Sequence, residues 1–279
     1  MIKLKNFSVG DGNPFVLIAG PCVVENEKMI LQTAESIKKI TGELKIPFVF
    51  KSSYKKANRT SHNSFSGIGD AEAIKILLKV RKELDIPVLT DIHSPGEIDE
   101  TVEAADVLQI PAFLCRQTEL LIAAGKSGKI VNIKKGQFLA PGDMKFAADK
   151  VASTGNNKIL LTERGTTFGY HNLVVDMRSL VIMKELGYPV VMDATHSVQL
   201  PSQNTQSGGE PKFIKPLARA AAAVGIDALF LEVHPDPKNA LSDAASQLSL
   251  NELKDLLVVV KEIDTVVKSK VKGQKSKAK

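Results

Sequence analysis

The chain has 279 residues, 43% of them hydrophobic and 24% charged, a balance that excludes disorder over most of its length and leaves room for one large domain. No apolar run approaches the roughly 18 residues needed to cross a bilayer, and no long apolar core follows Met1–Asn6, so a cytoplasmic protein without a membrane partner is expected. The formal net charge of +6 raises nucleic acid as a partner, but the six lysines of residues 268–279 account for all of it. That tail reads as a solvated, disordered end on a neutral body, which argues against a folded polyanion-binding surface.

In chain order, Lys3–Val9 alternates loosely and stops at the turn signal Gly10-Asp11-Gly12-Asn13, as a short strand or hairpin ahead of the main fold would. It is placed to plug one end of the body. A rhythm of short apolar strand, polar loop and helical stretch then repeats about eight times. The expected strands are residues 15–19, 48–51, 88–91, 107–110, 130–134, 159–163, 190–193 and 229–233. Amphipathic runs lie between them, among them residues 27–41, 71–84, 119–125, 175–186 and 212–224, and residues 250–267 make a last helix. The pattern predicts a single (β/α)₈ barrel over residues 1–267, followed by the basic tail 268–279. A doubly wound open sheet is the alternative, but no GxGxxG follows the first strand to support it.

A barrel of this kind works at the carboxyl ends of its strands. In order those ends carry Cys22, Lys51 with Lys56, Asp91 with His93, Arg116, Lys134, Arg164, His196, and Glu232 with His234. The densest stretch is KSSYKKANRTS at residues 51–61, where Lys51, Lys55, Lys56 and Arg59 stand among small hydrogen-bonding side chains. A solvated basic loop would contain the same residues, but cations gathered at a strand mouth call for an anion, and phosphate or carboxylate fits best. Lys51, Lys56, Lys134 and Arg164 would converge on such an anion from separate strands. Cys22, His196, Glu232 and Asp243 form a mixed sulfur, nitrogen and oxygen set that suits a divalent ion of the Fe²⁺, Zn²⁺ or Mn²⁺ class. Their spacing is no local metal motif, plain packing would explain a buried Cys22 as well, and His234 is a rival ligand. Only two cysteines occur, Cys22 and Cys115, far apart and without CxxC spacing, so no disulfide framework is expected. Gly165–Gly169 and Gln206–Gly209 have the composition of loops that close over a ligand.

Taken together, the motifs resemble the 3-deoxy-D-manno-octulosonate 8-phosphate synthases. The matching segments are IAGPC at 18–22, FKSS at 50–53, KANR at 56–59, TDIH at 90–93, QIPAFLCRQ at 109–117, NIKKGQF at 132–138, ERGTTFGY at 163–170, DATHS at 193–197, EVHP at 232–235 and LSDA at 241–244. They extend over nearly the whole chain. The resemblance implies a transferase that joins phosphoenolpyruvate to arabinose 5-phosphate for lipopolysaccharide biosynthesis. It implies Lys51, Lys56, Lys134, Arg164 and His196 at the phosphoenolpyruvate site, and Asn58, Arg59, Thr60 and Asp91 at the sugar site. Lys56, Asn58, Asp91 and His196 become the catalytic candidates. Arg116 would reach the sugar phosphate from a neighbouring subunit, which requires a homo-oligomer, as a rule a tetramer. Cys22 implies the metal-dependent branch, with His196, Glu232 and Asp243 as further ligands. Two departures stand out: Thr60 where Ser is common, and Lys55 where an acid is common. The sister synthase of aromatic biosynthesis, which uses erythrose 4-phosphate, is the nearest alternative, and Asn58 argues against it because that family has a lysine-proline-arginine turn there. A barrel binding RNA through its basic tail is a distant third.

Overall fold

The computed structural model describes residues 1–59, 61–201 and 208–277, with side chains to residue 270. At the N-terminus β1 (Ile2–Leu4) and β2 (Phe7–Val9) pair as an antiparallel hairpin with Leu4 opposite Phe7. The turn is made possible by Lys5 in the left-handed region at φ 49°.

Eight parallel strands then close on themselves. They are β3 (Val16–Gly20), β4 (Phe48–Lys51), β5 (Val88–Asp91), β6 (Val107–Ile110), β7 (Ile130–Lys134) and β8 (Ile159–Glu163), followed after two excursions by β11 (Val190–Asp193) and β14 (Ala228–His234). The last strand pairs with both β11 and β3, which completes the barrel. The excursions are two-stranded ribbons at the carboxyl end: β9 (Thr166–Thr167) with β10 (Leu173–Val174), and β12 (Gln199–Leu200) with β13 (Gly208–Gly209). A short β15 (Leu248–Ser249) adds to the end of β14.

Side-chain alternation along the strands divides the interior. Leu17 and Ala19 face the helices, whereas Val16 and Ile18 face the barrel axis. There they meet Val49, Leu89, Val107, Leu160 and Phe230, and the hairpin residues Ile2, Leu4 and Val9 seal this apolar layer from below. Above it a polar chain crosses the barrel. Thr162 Oγ1 donates to Asn132 Oδ1 at 2.6 Å, Asn132 Nδ2 to Gln109 Oε1 at 2.8 Å, and Gln109 Nε2 to Asp91 Oδ1 at 2.5 Å. The interior thus passes from an oily floor through amides to a charged mouth.

The crossover helices are α1 (Glu27–Leu44), α2 (Asp70–Glu83), α3 (Ile98–Thr101), α4 (Thr118–Lys126), α5 (Met144–Ala152), α6 (Arg178–Glu185), α7 (Ile214–Val224) and α8 (Leu250–Lys277). Asn26 caps α1 by accepting the Met29 amide at 2.9 Å, as a short polar side chain at that position should. Periodicity does not announce α3, which is one turn, or α5, whose buried face is half alanine. No described helix is long and apolar enough to cross a membrane.

The last helix runs beyond its expected end at residue 267. Helix α8 continues past it to Lys277, and residues 278–279 lie outside the described residues. Lys268 is buried rather than solvated, its Nζ 2.6 Å from Asp264 Oδ1. Asp264 Oδ2 also accepts the Phe15 amide at 3.1 Å, so an ion pair one helical turn long draws the start of the tail into the body. Asp264→Ala is expected to lower the unfolding free energy by about 3 kcal/mol, because it strands a buried ammonium. Urea unfolding measures it, and a change near zero would show the pair to be incidental.

Candidate active site

Gly20 closes β3 so tightly on β4 that a Cβ there would lie 2.1 Å from the Lys51 carbonyl oxygen. This approach sets Cys22 beside Lys51, whose Nζ donates to the Cys22 carbonyl at 3.0 Å and to Glu232 Oε1 at 2.7 Å. Cys22 Sγ lies 3.3 Å from Asp243 Oδ2, and one donor atom each from Cys22, Glu232 and Asp243 falls within 4.8 Å of the others. His196 completes the group, with Nε2 at 3.5 Å from Glu232 and 4.0 Å from Asp243. Asp193 is 2.8 Å from the other ring nitrogen, Nδ1. A carboxylate against Nδ1, which also has Lys134 Nζ at 3.2 Å, is the arrangement that orients a metal-binding imidazole. Burial pushes the Cys22 thiol well above its usual range, and the Asp243 and Glu232 charges push the same way. Burial also raises Glu232, but His196, Lys51 and Lys56 more than reverse it and hold the carboxylate ionised. Its Oε2 is buried and has no hydrogen-bond partner among the described residues, so the cluster has an acceptor to spare and fits a cation.

Beside this cluster opens a cavity of about 260 Å³, lined by five cations, Lys51, Lys56, Arg59, Lys134 and Arg164, against Asp91 and Asp243. Arg164 spends one nitrogen on Gln199 Oε1 at 2.9 Å, while its Nε and Nη1 are buried and have no partner among the described residues. Arg59 donates to Ser242 Oγ at 2.8 Å and lies 3.8 Å from Asp243, and its Nε is buried with no partner among the described residues. Guanidinium donors kept dry and unsatisfied await oxyanions. Lys134 sits 2.6 Å from Asp193 and 4.2 Å above the Phe230 ring. Its pKa is lowered because burial outweighs the pull of Asp193, while Asp193 itself, despite burial, is driven well down by His196 and Lys134. The ion pair is therefore kept by the acid's side. Lys56 goes the other way, its burial overcome by Cys22, Glu232 and Asp91.

Residues 1–269 match the DAHP synthetase I family. A 2-dehydro-3-deoxyphosphooctonate aldolase from Syntrophotalea carbinolica is 55% identical over 268 residues, covering 96% of this chain and 97% of its own. One from Geotalea uraniireducens is 55% identical over 96% and 98% of the two chains, and one from Francisella tularensis subsp. holarctica 53% over 98% and 100%. The chain belongs to the 2-dehydro-3-deoxyphosphooctonate aldolases.

In this aldolase the sequence candidates Lys51, Lys56, Asn58, Arg59, Asp91, Lys134, Arg164, His196 and Asp243 all line the one cavity, and Cys22 and Glu232 stand at its base. Thr60 falls outside the described residues, as do Gln206 and Ser207 of the second loop. Arg116 is exposed and outside the lining of its own chain's cavity. His234 does not compete for the cluster: the end of β14 leaves the barrel to pair with β15. That turns the ring away, to accept the Asp236 amide at 3.0 Å and face Glu25 at 3.5 Å. Residue reading missed Lys135 and Glu163. Lys135 is fully buried on the outward side of β7, 3.5 Å from Glu163, which in turn accepts the Arg164 and Gly165 amides at 2.9 and 2.7 Å. It also missed Asp193, although a carboxylate three residues before His196 was a signal for it.

Proposed function

We propose that this enzyme condenses phosphoenolpyruvate with D-arabinose 5-phosphate and water to give 3-deoxy-D-manno-octulosonate 8-phosphate and inorganic phosphate, for lipopolysaccharide biosynthesis. The observation that carries the reading is that two guanidiniums, Arg164 and Arg59, line one cavity with buried nitrogens that have no partner among the described residues. Two anionic reactants brought face to face require two such seats. In the reaction carbon 3 of phosphoenolpyruvate forms a bond to the sugar's aldehyde carbon while water oxygen adds to carbon 2. The bond between carbon 2 and the phosphate oxygen then breaks, and phosphate leaves with the electron pair.

Lys134 and Arg164 bind the phosphoenolpyruvate anion with Lys56, and Lys51 adds charge from below. They stabilise oxygens that gain charge in the transition state. Asn58, Arg59 and Asp91 hold the sugar phosphate. Burial pushes the Asp91 carboxyl up, and Lys51, Lys56 and His93 more than reverse this, so it accepts hydrogen bonds from sugar hydroxyls as a carboxylate. His196, steadied by Asp193, stands at the cluster's edge and lines the phosphoenolpyruvate side of the cavity. Cys22, His196, Glu232 and Asp243 would hold a divalent ion of the Fe²⁺, Zn²⁺ or Mn²⁺ class. Such an ion supplies Lewis-acid polarisation of a bound oxygen or orientation of the aldehyde.

The working form in this reading is a cytoplasmic homo-oligomer, a tetramer. Phe113, Phe138 and Phe168, 56–70% exposed, follow three neighbouring strands. Apolar surface gathered beside Arg116 supports burial against another copy.

Phosphoenolpyruvate-dependent phosphate release, measured with each sugar phosphate, tests the reaction. We expect kcat/KM for arabinose 5-phosphate to exceed that for erythrose 4-phosphate by at least about 10²-fold, since a site built to bond a hydroxyl rejects the analogue lacking it. Equal rates would transfer the chain to the sister reaction.

A further inference from the structure

Glu97 lies outside the cavity lining and the donor cluster, yet five donors converge on its carboxylate. Tyr54 Oη donates to Oε2, as do the His93 amide at 2.7 Å and, at 3.1 Å, His93 Nδ1. Ser94 Oγ reaches Oε1 at 3.2 Å, and Lys55 Nζ lies 3.1 Å from the same oxygen. Burial pushes this carboxyl up, but the bonds from Tyr54, the His93 amide and Lys55 prevail and hold it at about 2, so it is an anion throughout the working range.

The donors come from two different loops. Tyr54 and Lys55 follow β4, and His93 and Ser94 follow β5. Register between those strands ends at Lys51 opposite Leu89. Beyond that point Glu97, with the bond from Ser53 Oγ to Asp91, ties the two loops together. Both loops carry cavity residues next to the tie: Lys56, Asn58 and Arg59 on one, Asp91 and His93 on the other. Tyr54 is 1% exposed and meets the His93 ring edge-on at 5.8 Å, so the tie is packed as well as bonded. Lys55 also reaches Asp70 Oδ2 at 2.8 Å, which pins the loop to the start of α2. This accounts for a lysine that has no place in the cavity.

We infer that Glu97 is a positioning residue that keeps the Lys56–Arg59 segment in register with Asp91 and His93, and that losing it weakens the seat of the five-carbon sugar phosphate more than that of phosphoenolpyruvate. The identity of that substrate rests on the proposed reaction; the tie itself does not. Selectivity follows from placement. Lys134 and Arg164 have their own anchors, Asp193 and Gln199, neither of which touches the Glu97 loops, and Lys56, the one phosphoenolpyruvate cation on the tied segment, is also held 3.8 Å from Glu232.

Glu97→Ala, Glu97→Gln and Lys55→Ala test the inference by steady-state kinetics, thermal unfolding and amide hydrogen exchange. In Glu97→Ala we expect KM for arabinose 5-phosphate to rise at least about tenfold, because displacement of about 1 Å near a reacting centre is costly. KM for phosphoenolpyruvate should rise several-fold less, since Lys56 alone among its cations lies on the tied segment, the mark of an interaction that acts mainly on one substrate's seat. Glu97→Gln keeps one acceptor oxygen and should fall between, and Lys55→Ala, with four donors left on Glu97, should be mildest. Amides of residues 52–59 and 91–94 should exchange faster in Glu97→Ala while those of 130–134 do not. The inference is overturned if exchange in both segments is unchanged, or if the two KM values rise together in step with a fall in thermal midpoint across all three variants. Wild-type protein that releases no phosphate from the two substrates would refute the proposed reaction instead. The exchange measurement would then decide the positioning role alone.

Discussion

Lys134→Met is expected to lower kcat/KM by about 10²–10³, the loss that follows removal of one preorganised donor from a dry site. Methionine keeps most of the side-chain volume over the Phe230 ring but withdraws the charge that faces both the cavity and Asp193. Part of any loss could come from instability, since removing one partner of a buried pair costs about 3–5 kcal/mol. The double variant Lys134→Met/Asp193→Asn, compared with Asp193→Asn alone because Asp193 also steadies His196, separates the two effects. It removes the stranded charge, so its thermal midpoint should recover while its activity should not. Recovery of both would show that Lys134 matters only as a counterion.

Cys22→Ala is expected to deplete the purified protein of divalent metal by more than the roughly 10–100-fold that loss of an outer partner costs, with turnover falling in parallel. Elemental analysis reads the first and phosphate release the second. Unchanged metal content would remove Cys22 from the ligand set. The pH dependence has a definite sign. The thiol is pushed well above its usual range by burial first, then by Asp243 and Glu232, so at working pH a proton must leave before the thiolate can bind. Metal affinity should therefore climb with pH, by about tenfold for each unit below the thiol's own pKa. His196→Ala should also loosen the ion, because its Nε2 faces two of the other three donors.

The barrel was legible because its strands are short apolar runs bounded by turn residues and buried on both faces, as Pro47-Phe48-Val49-Phe50 shows. Six of the eight strands occupy the residues expected, and the outer two differ by a residue or so at their ends. The site was legible for a related reason: strand ends are where such a barrel gathers its polar groups. What escaped lies one step behind those ends. Lys135 follows Lys134 and faces the opposite way, so two adjacent lysines that look equivalent in sequence do different work. Glu97 is a helix-start acid in a polar stretch, and nothing local says that Tyr54 and Lys55, some forty residues away, converge on it. His234 shares the two-residue spacing with Glu232, but the spacing implies a common face only while a strand holds one partner, and here the partner changes. The tail looked like pure charge because composition cannot see that Asp264 is one turn from Lys268.

The bond from the Phe15 amide to Asp264 spans 249 residues of chain, and the neighbouring seam joins the first barrel strand to the eighth. A polypeptide emerging from the ribosome can build each strand and helix in turn, but it cannot fasten the seam until its eighth strand is free, nor the Phe15 bond until its last helix is. Maturation of this protein should therefore be a late, concerted event, slow in the manner of folds dominated by distant contacts. Nascent chains stalled before residue 264 should remain open to proteases, however complete their earlier strands.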